Sequence, residues 1–111
     1  MMNAAGKESP IYSSRVKDPA AEESIDTFVV SLAERIDELQ DADARRDFEL
    51  LGELAQTLTE DADLQGFGAL ARCADFVSER SRDSDAAEAH KHLVELTRIA
   101  RRVRLGHTGS M

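Results

Sequence analysis

Hydrophobic residues recur at steps of three and four along most of the chain, which is the spacing of helices that bury one face. Four such runs follow one another, separated by short polar stretches. The predicted inward positions are Ile25, Phe28, Val29, Leu32, Ile36 and Leu39; Phe48, Leu51, Ala55, Leu58 and Ala62; Phe67, Leu70, Ala71, Ala74 and Val77; and Ala89, Leu93, Leu96, Ala100 and Val103. No stretch alternates long enough to predict a strand.

Residues that commonly cap helices predict where these four helices begin and end. The aspartates expected to cap the helix starts are Asp18, then Asp41 or Asp43, and finally Asp85. Gly66 is expected to end the second helix in a left-handed conformation, and Gly106 to stop the fourth. The predicted helices therefore span about 19–40, 44–64, 67–82 and 86–105.

Short links between amphipathic helices predict an all-α, up-down-up-down four-helix bundle over residues 18–105. Residues 1–17 lack periodicity and are expected to form a flexible arm. Within that arm Ile11, Tyr12 and Val16 could dock as a short lid over one end of the bundle, and plain disorder is the alternative. Residues 106–111 are expected to be a disordered tail.

Composition narrows the classes of function. The chain has 111 residues and a net charge of −8, which argues against nucleic acid and anionic membrane surfaces as partners. A single cysteine excludes an internal disulfide, and no segment has the length and apolarity of a signal peptide or membrane span. The sequence therefore favours a cytoplasmic protein.

The outward face of the second helix carries the candidate functional positions. Gln56 lies opposite the apolar stripe, and its helical neighbours are mostly acidic. The predicted face comprises Gly52, Glu53, Gln56, Thr59, Glu60 and Asp63. Gly66 and Phe67 follow at the end of the helix.

This region resembles the histidine phosphotransfer (HPt) domains of bacterial phosphorelays, which carry an exposed histidine in an A-H-x-L-K-G motif followed by a glycine pair such as Gly-Phe. Residues 55–60 fall in the same register, and Gly66-Phe67 falls where that pair is expected. The stretches 11–13, 18–19 and 28–36 are also similar to one HPt subgroup, so the resemblance covers residues 11–103. It implies an HPt-type bundle and a receiver domain or histidine kinase as partner.

Three departures from the motif lie on one face. Gln56 stands at the phosphoacceptor position, and an amide has no nucleophilic nitrogen comparable to that of imidazole. Thr59 replaces the motif's lysine, and Glu60 replaces its glycine. Because a receiver presents an acidic, Mg²⁺-binding pocket, the carboxylates of Glu53, Glu60 and Asp63 would repel it unless the metal or a basic rim compensated. We therefore expect no phosphotransfer through this site.

The remaining chemistry-bearing residues have simpler interpretations. His90 and His92 lie two positions apart, so on a helix they project about 200° from each other and cannot share one metal ion. His107 lies in the expected tail, and Cys73 is expected to pack as a small hydrophobic residue. The acidic face lacks the loop pattern of calcium sites, and the arginines at 98–104 complement the helix dipole. We predict no enzyme, metal site or cofactor.

Two functions from different classes remain. The first is an HPt-like signalling module that binds a receiver or kinase domain without carrying phosphate. The second is a repurposed helical bundle that acts as an interaction or scaffold protein outside any phosphorelay, with self-association into a homo-oligomer as one form of it. A third alternative is an active phosphotransfer protein that uses another histidine, and it would require phosphorylation of His90 or His92. The sequence leaves the partner, the pathway and the oligomeric state open.

Overall fold

Four helices account for most of the chain in the computed structural model, which describes residues 9–15 and 17–109. They are α1 (Glu22–Ala44), α2 (Phe48–Leu64), α3 (Gly68–Arg82) and α4 (Ala86–Gly109). The described residues contain no strand, so the predicted all-α class is confirmed. None of the described helices combines the length and apolarity required to cross a membrane. Residues 1–8, Val16, Ser110 and Met111 lie outside this description.

The start of α1 follows the predicted signal, but its end does not. Asp18 caps a short 3₁₀ turn, Pro19–Ala21, by accepting a hydrogen bond from the N–H of Ala20, and α1 continues from that turn. The expected connector at 41–43 is wrong, because α1 runs on to Ala44. Ala42 lies one turn beyond Leu39 and is 1% exposed, so it prolongs the buried stripe and keeps this stretch helical.

The link between α1 and α2 therefore comes later than expected. It comprises residues 45–47, and Arg46 takes a left-handed conformation with a φ of 60°. Asp47, rather than Asp41 or Asp43, caps α2 by accepting a hydrogen bond from the N–H of Leu50. The second helix thus begins at Phe48, four residues after the predicted start.

The later helix ends agree with the sequence in all but one place. Gly66 follows α2 with a φ of 85°, and Asp85 accepts a hydrogen bond from the N–H of Glu88 at the start of α4. Gly106 does not stop α4, which continues to Gly109. Gly106 is buried against the chain near Ile11, so its missing side chain serves a close approach there rather than a helix end.

The core lies between the four helices. Each helix packs against its neighbours in sequence, and α1 also packs against α4. The largest fully buried apolar side chains are Leu32, Leu39, Leu51, Leu58, Leu70, Leu96, Val77 and Val103, in agreement with the predicted stripes. Phe48 is only partly buried. The rings of Phe28 and Phe67 stack with centroids 5.8 Å apart, joining α1 to the turn between α2 and α3.

Candidate functional site

Gln56 lies midway along α2, on the side that faces α3, and its amide is held at both ends. Its Oε1 accepts a hydrogen bond from the Arg82 guanidinium at 2.8 Å and another from the Ser78 hydroxyl at 3.4 Å. Its Nε2 donates to a carboxylate oxygen of Glu60, one turn further along α2, at 3.2 Å. The side chain is half-buried and bridges two helices.

Small residues bring α2 and α3 together beside Gln56. Gly52 is buried, and a Cβ placed on it would lie 3.6 Å from the Cβ of Ser81. The single proton of the Ser78 hydroxyl is shared between Gln56 Oε1 and the carbonyl of Gly52, which lies 3.2 Å from the hydroxyl oxygen. Ser78 and Ser81 are themselves 0% and 2% exposed. We call this contact of Gly52 with Ser78 and Ser81 the seam. It holds the backbone of α2 close to α3 and fixes the position along α3 at which Gln56 meets Arg82.

An open groove of about 640 Å³ runs along this seam. We call it the Gln56 groove; it is lined by Phe48, Glu49, Gly52, Glu53, Gln56, Thr57, Glu60, Ser81, Arg82 and Ser84. Glu49, Glu53 and Glu60 contribute exposed carboxylates. Arg82 contributes the groove's cationic group. The groove therefore has a negative balance of charge around a neutral amide.

The predicted face is only partly gathered in this groove. Glu53, Gln56 and Glu60 line it, as does Gly52, which is buried at its floor and not exposed. Thr59 and Asp63 do not line it. The Thr59 hydroxyl donates to the carbonyl of Ala55 in its own helix, at 2.8 Å.

Gly66 and Phe67 play a structural role at the end of α2. Gly66 supplies the left-handed turn residue, and Phe67 is 3% exposed against Phe28. They shape the connection that folds α3 back along α2, and they do not line the Gln56 groove.

Sequence reasoning missed the contribution of α3 to the site. The sequence alone did not single out Arg82, Ser78 or Ser81 as site residues. Yet α3 folds back from the turn at Gly66, so residues at similar distances on either side of that turn meet, as Gln56 and Ser78 do. Two serines at i and i+3 interrupting the apolar face of α3 were the available signal.

The three histidines lie away from the Gln56 groove. The Nδ1 of His90 lies 2.7 Å from a carboxylate oxygen of Asp43 on α1. The ring of His92 stacks on that of Phe76 with centroids 5.1 Å apart, and the Nδ1 of His107 lies 3.4 Å from Asp26. None of them occupies the position of a replacement acceptor beside Gln56.

Cys73 is buried and its thiol donates to the carbonyl of His92 at 3.4 Å. Burial raises the pKa of the thiol to about 11, with the negative charge of Glu95 adding to the rise. A thiol in this setting stays protonated and is a poor nucleophile. Among residues 9–15 and 17–109, no cluster of three or more histidine, cysteine, aspartate or glutamate side chains is arranged to hold a metal ion.

The Gln56 side chain itself offers no nucleophilic nitrogen comparable to that of imidazole. The amide of Gln56 is neutral and engaged at both ends, and the groove beside it is open enough to accept side chains of another protein. Comparison of the chain with protein-family models, with curated proteins and with solved structures finds no match.

Proposed function

We propose that the protein is a degenerate HPt-like module that binds a receiver or histidine-kinase domain in the cytoplasm without carrying phosphate. The proposal includes an up-down-up-down helix order of the HPt type. It starts from the resemblance of residues 11–103 to that family. In such a module Gln56 takes the acceptor position, and the Gln56 groove is the surface that meets the partner.

The bridge from Gln56 to Arg82 carries this proposal. An acceptor histidine must project from the middle of a helix into a space that a partner can reach, and Gln56 lies midway along α2 in an open groove. Its side chain is neutral and hydrogen-bonded to both Arg82 and Glu60. The position is thus suited to contact with a partner and unsuited to forming a phosphoramidate.

The charge of the groove favours a second candidate, a repurposed bundle that binds a partner other than a receiver. Glu49, Glu53 and Glu60 face the groove, and Arg82 is the cation that opposes them. An acidic receiver pocket would be repelled by this surface unless Mg²⁺ or a basic rim compensated. Self-association without receiver binding would support this candidate.

Titration of the protein with the receiver domains of its own organism tests the first candidate. The titrations are made with Mg²⁺ at a low and a high salt concentration, because charge repulsion across the interface weakens as salt rises. We expect saturable binding to one receiver, with affinity that improves at the higher salt concentration. Failure of every receiver to bind would refute the proposal and leave the second candidate.

A pair of matched variants locates the surface. Thr57 is exposed and lines the Gln56 groove, whereas Thr27 is exposed on α1, and each hydroxyl donates to the carbonyl four residues earlier in its helix. Thr57→Trp should abolish receiver binding, and Thr27→Trp should leave it unchanged. A bulky residue at Gly52 is a poorer probe, because that position is buried against Ser81.

A further inference from the structure

Residues 9–15 form a strap that joins two parts of the fold that are distant in sequence. The N–H of Ile11 donates to the carbonyl of Arg102 on α4 at 2.9 Å, and the Arg102 Nε donates to the carbonyl of Ser9 at 2.8 Å. Further along, the N–H of Ser14 donates to the carbonyl of Gly66 at 2.9 Å. The strap therefore links the last turns of α4 to the turn that follows α2.

The strap also caps the C-terminal end of α2. The last carbonyls of a helix have no partner within it and need donors from elsewhere. Arg15 donates to the carbonyl of Leu64 at 2.9 Å, and the Ser13 hydroxyl donates to that of Gln65. The carbonyls of residues 61–63 accept from the N–H groups of Gln65, Phe67 and Gly66, so the strap supplies donors only to Leu64 and Gln65.

Two glycines, Gly66 and Gly106, allow the strap to lie close to the turn after α2 and to α4. A Cβ on Gly66 would lie 2.7 Å from the hydroxyl oxygens of both Ser13 and Ser14. A Cβ on Gly106 would lie 2.6 Å from the backbone oxygen of Ile11, a distance that requires the backbone to move. Any larger residue at Gly106 would therefore push the strap away from α4.

The strap is held by few buried side chains. Ser13 is buried and Ile11 partly so, whereas Pro10, Tyr12 and Ser14 are exposed. Segments with exposed backbone hydrogen bonds and few buried apolar contacts open at a lower free energy than the core. The start of α1 has its own cap at Asp18, which accepts from the N–H of Ala20, so detaching the strap leaves that helix intact.

A cavity with both apolar and polar walls lies beside the strap. It measures about 320 Å³, and Ile11 and Tyr12 form one side of it. Its apolar walls are Ile25, Val29, Phe67 and Val103, and Glu22, Asp26 and His107 also line it. Movement of the strap would widen this cavity.

We propose that the strap is a conformational latch that opens as a unit while the four helices stay folded. Opening removes the donors to the carbonyls of Leu64 and Gln65 and widens the cavity beside the strap. The latch therefore acts on the last residue of α2 and the turn after it, while the carbonyls of residues 61–63 keep their local donors. This inference is independent of whether a receiver domain binds the Gln56 groove.

Hydrogen exchange of the full chain tests the latch. In the wild type, the amides of Ile11 and Ser14 should be protected, yet exchange at least about tenfold faster than those of Leu58 and Leu96 in the core. Exchange of the strap and core amides at one common rate would show that the strap opens only with global unfolding. Strap amides without any protection would show that it is not closed in solution. Either result refutes the proposal.

Two glycine variants separate strap release from general destabilisation. Gly106→Ala should speed exchange at Ile11 and Ser14 by about tenfold and raise exchange at Gln65, which follows α2, while Leu58 and Leu96 keep their protection. Gly68→Ala is the matched control, because its new Cβ would meet only the mobile end of Arg72 at 3.4 Å. No change at Ile11 in Gly106→Ala, or an equal change in the core, would overturn the latch.

Discussion

The guanidinium of Arg82 donates a 2.8 Å hydrogen bond to the side-chain carbonyl of Gln56 and so joins the end of α3 to the middle of α2. The opposite end of the same amide donates to Glu60. Gln56 is therefore a bridging residue between two helices, and under the proposed function it also takes the acceptor position. Its replacement should affect both the stability of the seam and the shape of the groove.

Removing one partner of this bridge should cost little stability, since Arg82 is exposed. We expect Arg82→Ala and Gln56→Ala each to destabilise the fold by about 0.5–1 kcal/mol in urea denaturation. A double-mutant cycle should give a coupling energy of at least about 0.5 kcal/mol for the pair. The control pair combines Gln56→Ala with Arg72→Ala, because Arg72 lies about 15 Å away from Arg82 along α3. Additivity within the first pair would contradict the bridge.

The buried serines of α3 should differ in their contributions. The Ser78 hydroxyl crosses the seam to the carbonyl of Gly52 at 3.2 Å, whereas that of Ser81 returns to Val77 of its own helix at 2.7 Å. We expect Ser78→Ala to cost about 1 kcal/mol and Ser81→Ala less, because alanine favours the helix and only a local bond is lost at Ser81. Urea denaturation of the two variants measures the order. Greater destabilisation by Ser81→Ala would refute the cross-helix role of Ser78.

Cys73 should lower stability at alkaline pH. Its pKa is about 11 in the folded protein, above the value of about 8.5 expected in an unfolded chain, so the unfolded state loses its proton first. The contribution of the protonated thiol is complete below pH of about 8.5 and is lost progressively as pH rises toward 11. Cys73→Ala should therefore show a shallower fall in unfolding free energy across this window than the wild type. Identical slopes would contradict the raised pKa.

The same burial should protect the thiol from alkylation. We expect iodoacetamide to modify the native protein at pH 8 at least about a hundredfold more slowly than the urea-unfolded chain, because the thiolate is the reactive form and is scarce in the fold. Mass spectrometry of the quenched reaction measures both rates. Equal rates would show that Cys73 is accessible in the folded state.

The helices could be predicted because their signals are local. The apolar spacing placed all four, and Asp18, Gly66 and Asp85 marked three of the boundaries correctly. The errors at Ala44 and Gly106 arose where tertiary contacts decided the outcome. Ala42 is buried by packing and keeps α1 helical, and Gly106 accommodates the distant residue Ile11. Neither contact is visible in the neighbouring sequence.

The candidate site was predictable only on the side of α2. Helical spacing placed Gly52, Glu53, Gln56 and Glu60 on one face, and all four line the groove. Arg82 and the serines required knowledge of how α3 lies against α2, which the spacing within one helix does not provide. Helical spacing also placed Thr59 on the predicted face, although Thr59 lies outside the groove. Spacing within one helix therefore included a residue that does not line the site.

Introducing the HPt motif tests whether the groove presents an acceptor position, as the proposed function requires. The variant combines Gln56→His with Thr59→Lys and Glu60→Gly, which supplies an imidazole and removes the carboxylate bonded to Gln56. We expect it to accept a phosphoryl group from a phosphorylated receiver that binds the wild type, because Arg82 adds positive charge beside the new imidazole. Glycine within α2 costs about 1 kcal/mol, so circular dichroism must first confirm the fold.

The control for that experiment carries Gln56→Ala with the same changes at Thr59 and Glu60. Acid-labile labelling should appear in the histidine variant and be absent from both the alanine control and the wild type. Labelling of the wild type would identify another acceptor and overturn the proposal that the protein carries no phosphate. A folded histidine variant that binds the receiver yet stays unlabelled would show that the groove does not present position 56 to the partner's phosphoryl group. Docking would then occur without the geometry that transfer requires.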